Sequence, residues 1–414
     1  MKKRPARILI DFTKSYDGKH MGIRRVVLNI VKRSQALEEK SGTPCFPVIA
    51  RRSSFQRVSL REIPHFESSK KSSGRSLWKK GLASLVNKKI FAVLGDLSFL
   101  YRKRRILPSP DDLLLLPDAF WGQDPAYIDS IFLAKEAGAK IILVVHDLIP
   151  YDYPNLYEEK FLKNYLECLF RIVPLLDGIL TVSQVVKDDV RRFLNCEFGS
   201  KFQDLPVDHF MLGADSKEVS YCSSEIRQDV EDLAARKPFL AVGTIEARKD
   251  PLTLIEAFDR LALKDPTTHL LFVGKIGFRG NEILSRARLS PFFGERLIVR
   301  HDIEDYELSL LYRSAQGLVF SSLAEGFGLP LVEAMRMGIP IICSDIPIFR
   351  EIGRDYPVFF RAGDSQDLEK ALRKVLTLSE SSVAPAYVPV VSWDEAAFEF
   401  LQKALLLYNS FSDS

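Results

Sequence analysis

Short apolar runs alternate with segments of helical period along almost the whole chain, and no other feature limits its possible folds so tightly. In the first half, Ile8–Phe12, Cys45–Ala50, Leu113–Leu116, Ile141–His146 and Ile179–Val182 read as strands. Helical patterns over Ile23–Ala36, Pro125–Ala137, Tyr157–Leu176 and Val185–Leu194 separate them. In the second half, strands at Phe239–Val242, Leu270–Val273, Leu297–Val299, Leu318–Phe320 and Ile341–Cys343 alternate with helices at Pro251–Leu263, Asp305–Ser314, Pro330–Met337 and Asp367–Thr377. Strands this uniformly apolar suit sheets covered on both faces, so the expected class is α/β with doubly wound parallel sheets. A chain of 414 residues exceeds what one core supports, which makes two Rossmann-like domains facing a crevice the natural division. The polar, weakly periodic stretch Asp215–Lys237 is the expected linker. The resulting domains are 1–215, carrying a basic insert at 51–110, and 236–391, followed by a closing helix over 392–414. Ser392 would cap that helix, with Ala397, Phe398, Leu401, Ala404 and Leu405 on one face.

Within the second half, Ser321-Ser322-Leu323-Ala324-Glu325-Gly326-Phe327-Gly328-Leu329-Pro330-Leu331-Val332-Glu333 follows the strand Gly317–Phe320. Gly326 and Gly328 let backbone N–H groups approach a ligand, and a helix starting at Pro330 offers its positive end to a diphosphate. Glu325 and Glu333 would repel phosphates but suit sugar hydroxyls on either side of them. A capped turn in which Glu333 merely favours the helix dipole would use the same residues. A second strand–loop–helix junction, Val242-Gly243-Thr244-Ile245-Glu246-Ala247-Arg248-Lys249-Asp250-Pro251, supplies a forked and a compact cation for a departing diphosphate. Gly22, opening the helix after the first strand, and His146 with Asp147, ending the strand Ile141–His146, fall where crevice residues belong. A histidine at a strand end also serves structure alone, and Ser183 reads as a helix cap.

Composition narrows the setting. No apolar run reaches the roughly 18 residues of a bilayer span, and the start Met1–Phe12 is too short for a signal peptide, so a cytoplasmic location is expected. The five cysteines are scattered without paired metal-ligand spacing, which argues for reduced thiols rather than disulfides or zinc. The net charge of +4 is unevenly spread: Arg51 to Arg105 holds fifteen Lys/Arg against Glu62, Glu67 and Asp96, a local +12. Trp78, Leu82, Leu85, Phe91 and Phe99 interleave with these cations, a mixture suited to an anionic membrane surface. A solvated surface is the plain alternative, and no nucleic-acid-binding signature is present.

The loop with Glu325 and Glu333 resembles the family-4 retaining glycosyltransferases of the GT-B fold, in which a glutamate, seven residues and a second glutamate bind the donor. The Arg248-Lys249 junction is similar to the family's diphosphate-holding pair. The resemblance implies that Glu325 contacts the transferred hexose, that the amides of Phe327, Gly328 and Leu329 meet its hydroxyls and the phosphates, and that Glu333 holds the ribose. It further places His146 beside the sugar, the nucleobase near Ile303, and Gly22, Gly243 and Gly326 along the donor. The catalytic set would be Arg248, Lys249, Glu325 and His146. Many members carry proline where Ser321 stands. The implied function is transfer of a hexose, mannose from GDP-mannose by general resemblance, to a polysaccharide or lipid-linked glycan at the cytoplasmic membrane face, with no metal or other cofactor. The rivals are a nucleotide-sugar epimerase of the same fold and a non-catalytic membrane- or nucleic-acid-binding scaffold.

Overall fold

The computed structural model describes residues 4–16, 21–51, 54–63, 104–122, 125–214, 226–377 and 391–411. Its strands, in chain order, are β1 (Arg7–Asp11), β2 (Cys45–Arg51), β3 (Ser54–Arg57), β4 (Arg105–Ile106), β5 (Asp112–Leu116), β6 (Lys140–Val145), β7 (Gly178–Thr181), β8 (Val207–His209), β9 (Phe239–Val242), β10 (Leu270–Val273), β11 (Leu297–Arg300), β12 (Gly317–Phe320), β13 (Ile341–Ser344) and β14 (Val358–Phe360). They form two sheets, ordered β4-β3-β2-β1-β5-β6-β7-β8 and β11-β10-β9-β12-β13-β14. The second is parallel throughout, whereas β3 and β4 add an antiparallel hairpin to the edge of the first. Helices cover both sheets, so Ile8, Leu9 and Ile10 of β1 and Leu113 to Leu116 of β5 are wholly buried. Burial on both faces is why these strands are continuous apolar runs.

Strand order reverses between β1 and β5 in one domain and between β9 and β12 in the other. Loops leaving the carboxyl ends there diverge to opposite faces and open a crevice, the usual ligand position in such sheets. The loops after β1, β6, β9 and β12 carry the residues singled out above.

The C-terminal helix, Trp393–Ser410, returns to the first domain and packs on β7 and the helices Met21–Lys32 and Ser34–Ser41. Ser392 caps it by accepting from Glu395 N at 3.2 Å, while Glu395 accepts from Ser392 N at 2.8 Å. Its inner face centres on Trp393, Phe400 and Leu401, with Phe400 5.2 Å from Phe210. Phe398 and Leu405, expected on that face, are half-buried at its margin, and Lys40 lies over the Phe398 ring.

Several elements differ from the sequence reading. The expected helix Ile23–Ala36 is two helices that break at Arg33, and Gly42 in a left-handed conformation ends the second. The expected linker contains a helix, Gln228–Ala235, which packs on Asp305–Ser314. Its three buried residues, Val230, Leu233 and Ala234, are too few to stand out among charges. Strands β3, β4, β8 and β14, of two to four residues, were too short to register. The basic insert starts and ends in sheet, with β3 and β4 at its two sides, and its Trp78, Leu82, Leu85, Phe91 and Phe99 lie outside the described residues.

The crossing of the C-terminal segment depends on Gly213. Ala214 N donates to Val391 O at 2.9 Å, and a Cβ on Gly213 would lie 2.6 Å from Trp393 N and 2.7 Å from Ser392 C and O. The neighbours are backbone and have no rotamer to escape into. Gly213→Ala should therefore lower unfolding stability by about 2 kcal/mol, the range typical of overpacking, and urea titration of the two proteins measures the difference.

Candidate active site

Glu325 occupies the centre of the crevice loop after β12. Its side chain is 8% exposed and pairs with Arg248 at 2.9 Å and with Lys249, while the Ser322 hydroxyl donates to it at 2.7 Å. Burial opposes the carboxylate charge, but Arg248 and Lys249 outweigh it and hold the group down to about 2. Arg248 also pairs with Glu246 at 2.8 Å and donates to Ala324 O at 2.8 Å. Burial disfavours its charge as well, yet Glu325 and Glu246 keep the guanidinium protonated beyond its ordinary range. Backbone and hydroxyl bonds close the same junction: Leu323 N donates to Arg248 O at 2.9 Å, and Ser321 Oγ to Lys249 O at 2.8 Å. Ser321 thus ties two loops together. Between the ends of β9 and β12 lies a cavity of about 30 Å³, bordered by Gly243, Lys249, Ser321 and Ser322.

The helix behind the loop, Leu329–Arg336, begins one residue earlier than expected, with Gly328 left-handed at its cap and Pro330 in its first turn. Glu333 consequently lies beyond that turn, where the dipole does little for it. It forms an ion pair with Arg25 of the first domain, three residues after Gly22 on the helix Met21–Lys32. Gly22 has open space around its Cβ position.

Gly326 brings the domains into contact. A Cβ there would lie 2.4 Å from the carbonyl oxygen of His146 and 3.1 Å from Asp147 Cβ. Nearby, Ser183 caps the helix Gln184–Phe198, and the amides of Gln184 and Val185 each donate to Glu351 of the second domain at 2.8 Å. Asp147 is pushed up by burial, which Arg248 across the crevice partly offsets. His146 donates through Nε2 to Pro117 O at 2.8 Å, an acceptor-only partner that fixes this tautomer. Burial depresses His146 to about 4 against that hydrogen bond, so the ring is neutral at physiological pH.

The structure thus gathers Arg248, Lys249, Glu325, Gly326 and the His146 backbone into one place, with Gly243 beside Lys249. Phe327 is buried, and Leu329 is half-buried at the helix start. Ile303 lies farther out, half-buried after β11, where Glu304 and Glu307 form a capping box for the helix Asp305–Ser314. Lys275 is exposed and shares none of these contacts. Glu246, Ser322, Arg25 and Glu351 were missed as partners. Glu246 stood two residues before Arg248, but only the turn Ala247–Lys249 folds its carboxylate back onto the guanidinium. Among the described residues, no group of three or more His, Cys, Asp and Glu is placed to hold a metal.

Fold and site define a two-domain GT-B protein. Residues 223–387 match the family model described as glycosyl transferases group 1, so the second half of this chain is a domain of that family. The chain is 31% identical over 308 residues to the serotype-specific mannosyltransferase WbdA of Escherichia coli, a match covering 72% of the chain but 38% of the relative. It is 24% identical over 241 residues to the O-antigen chain mannosyltransferase RfbU of Salmonella typhimurium, covering 58% of the chain and 62% of the relative. The chain therefore spans little more than a third of the length of WbdA. Among solved structures, sucrose-phosphate synthase from Thermosynechococcus elongatus aligns over the whole of both chains with a TM-score of 0.57 at 15% identity. Anabaena HepE in complex with UDP-glucose aligns over 99% of this chain and all of its own with a TM-score of 0.55 at 13% identity. Both likenesses are of fold.

The neutral His146 makes stability depend on pH. The unfolded ring takes a proton near its ordinary 6.5, the folded one only near 4. The preference for the neutral ring is complete above pH 6.5 and is lost as pH falls through this window toward 4, up to roughly 3 kcal/mol. His146→Gln should be less stable at pH 7 but lose less stability than the parent between pH 7 and pH 4.5. Denaturant titration of both proteins at the two pH values measures the difference.

Proposed function

We propose that this chain is a retaining family-4 hexosyltransferase that moves mannose from GDP-mannose to a polysaccharide or lipid-linked glycan at the cytoplasmic face of the membrane. The observation that carries the reading is the convergence of Arg248, Lys249 and Glu325 at the β9–β12 switch point, where a diphosphate would meet two cations and a sugar one carboxylate. The choice of mannose rests on the names of WbdA and RfbU, and the glycan acceptor on the O-antigen role printed for RfbU.

In this reading the donor diphosphate takes over the cations that Glu325 now holds. The released carboxylate then accepts hydrogen bonds from the hexose. As the bond between C1 and the diphosphate oxygen breaks, Arg248 and Lys249 stabilise the charge that accumulates on the leaving group. The acceptor hydroxyl attacks C1 from the same face, and a donor phosphate oxygen takes its proton. The two cations do the electrostatic work, so the reading calls for no metal or other cofactor. His146, neutral and anchored to Pro117, holds the first domain's wall against the sugar and transfers no proton. Glu333 would exchange Arg25 for the ribose hydroxyls, coupling nucleotide binding to a contact between domains. The anionic membrane surface is assigned to the basic segment 51–105, with no role for nucleic acid.

Screening GDP-mannose, UDP-glucose and dTDP-rhamnose for transfer to glycan acceptors tests donor and reaction together. Product that appears without acceptor, as an epimerised donor, would instead assign an epimerase. Arg248→Ala and Lys249→Ala should each lower transfer about a hundredfold or more. Each also leaves Glu325 short of a partner, so the melting temperature should fall too. The double change Lys249→Met with Glu325→Gln removes both charges and should recover most of that stability without recovering transfer. Recovery of both would show that the charges serve folding alone.

A further inference from the structure

The helix Glu159–Ile172 has two unlike faces. Inward, Tyr165, Leu169 and Ile172 are buried, and the Tyr165 hydroxyl donates to Asp147 O at 3.0 Å beneath the crevice loop. Outward, Leu162, Leu166 and Phe170 form an apolar row along the open face of the helix. Its rim consists of Glu159, Lys163, Glu167 and Arg171, all exposed. The adjoining helix, Pro125–Glu136, exposes Phe132 and Leu133, 48% and 40% accessible, and Arg171 reaches its Asp129 at 3.9 Å. Exposed apolar side chains on two adjoining helices are the kind of surface that marks an interaction site.

The order of the rim charges selects the occupant. Glu159 and Arg171 lie equally far before and after Tyr165, and so do Lys163 and Glu167, with opposite sign in each couple. Two such helices crossed antiparallel about a two-fold axis at Tyr165 would set each Glu159 opposite Arg171 of the second copy, and each Lys163 opposite Glu167 of the second copy. A parallel pair would place the two charge stripes on opposite sides of the contact and leave them unopposed. The rim is neutral overall, which gives an anionic bilayer or a nucleic acid nothing to hold. We infer that this face is the contact between two copies of the chain, related by a two-fold axis through their antiparallel helices Glu159–Ile172.

Exposed ion pairs contribute only about 0.2–1 kcal/mol each, so the charges set orientation while apolar burial supplies affinity. A stable interface removes roughly 800 Å² from each partner, more than one side of a 14-residue helix offers, so Phe132 and Leu133 belong to it. An isologous contact of this kind closes on itself and stops at two copies. None of these residues belongs to the donor site, so the inference stands apart from the proposed transfer chemistry.

Sedimentation of the full chain over a concentration series provides the test, with circular dichroism confirming that each variant is folded. The parent should show a monomer–dimer equilibrium. Glu159→Lys with Glu167→Lys makes the rim wholly positive, and Lys163→Glu with Arg171→Glu makes it wholly negative. Each double variant should raise the dimer dissociation constant at least tenfold, and an equimolar mixture of the two should dimerise again as a heterodimer. A parent that stays monomeric at all concentrations overturns the inference, as do variants that dimerise as well as the parent or a mixture that stays monomeric. A monomeric parent that instead binds neutral lipid vesicles and loses this on Leu166→Ser would assign the face to a membrane, which also overturns it.

Discussion

One buried carboxylate shared by two adjacent cations fixes the second domain's working surface. Glu325 can stay ionised despite its burial because Arg248 and Lys249 face it, and the Arg248 guanidinium keeps its charge because Glu325 and Glu246 face it. The group is interdependent: removing Glu325 strips both cations of their shared partner, and removing either cation leaves the buried carboxylate less compensated. The backbone bond from Leu323 to Arg248 and the hydroxyl bond from Ser321 to Lys249 hold the loops in register before the charges act. The result is a preorganised polar site in a low-dielectric setting, where a fixed charge acts more strongly than it does in water.

That site is completed by contact with the other domain. Gly326 lies against the His146 carbonyl, Arg25 pairs with Glu333, Arg336 donates to the Ala214 carbonyl, and Glu351 accepts from two amides at the start of the helix Gln184–Phe198. The last contact uses a helix end that would otherwise present unsatisfied donors. Every one of these interactions spans the crevice, so parting the domains exchanges them for water. Glu333 stands on both sides of the balance, since the carboxylate proposed to hold the ribose is the one that now secures Arg25.

Much of this was legible in the sequence because long buried strands and glycine-marked loops leave strong local signals. Leu113 to Leu116 and Ile141 to Val145 could hardly be anything but interior strands, and Gly326 and Gly328 beside Pro330 marked a loop running into a helix. Which charges would meet was not legible. The approach of Arg25 to Glu333 spans two domains, and the two amides bonded to Glu351 belong to a helix more than 150 residues away in the chain. Short edge strands such as β4 and β8 exist because a neighbour extends to them, a cause their own residues do not record. His146 illustrates the middle ground: its position at a strand end pointed to the crevice, while its neutrality follows from burial and Pro117, which only the packing shows.

The basic insert leaves the first sheet after β3 and rejoins it at β4, two antiparallel neighbours on the outermost edge. Both ends are therefore anchored side by side, while the parallel strands that carry the crevice loops pair without it. A segment attached in this way touches the sheet's pairing only at that edge. A change in its length or charge would leave the register of β1, β5 and β6, and with it the placement of the crevice loops, as it is.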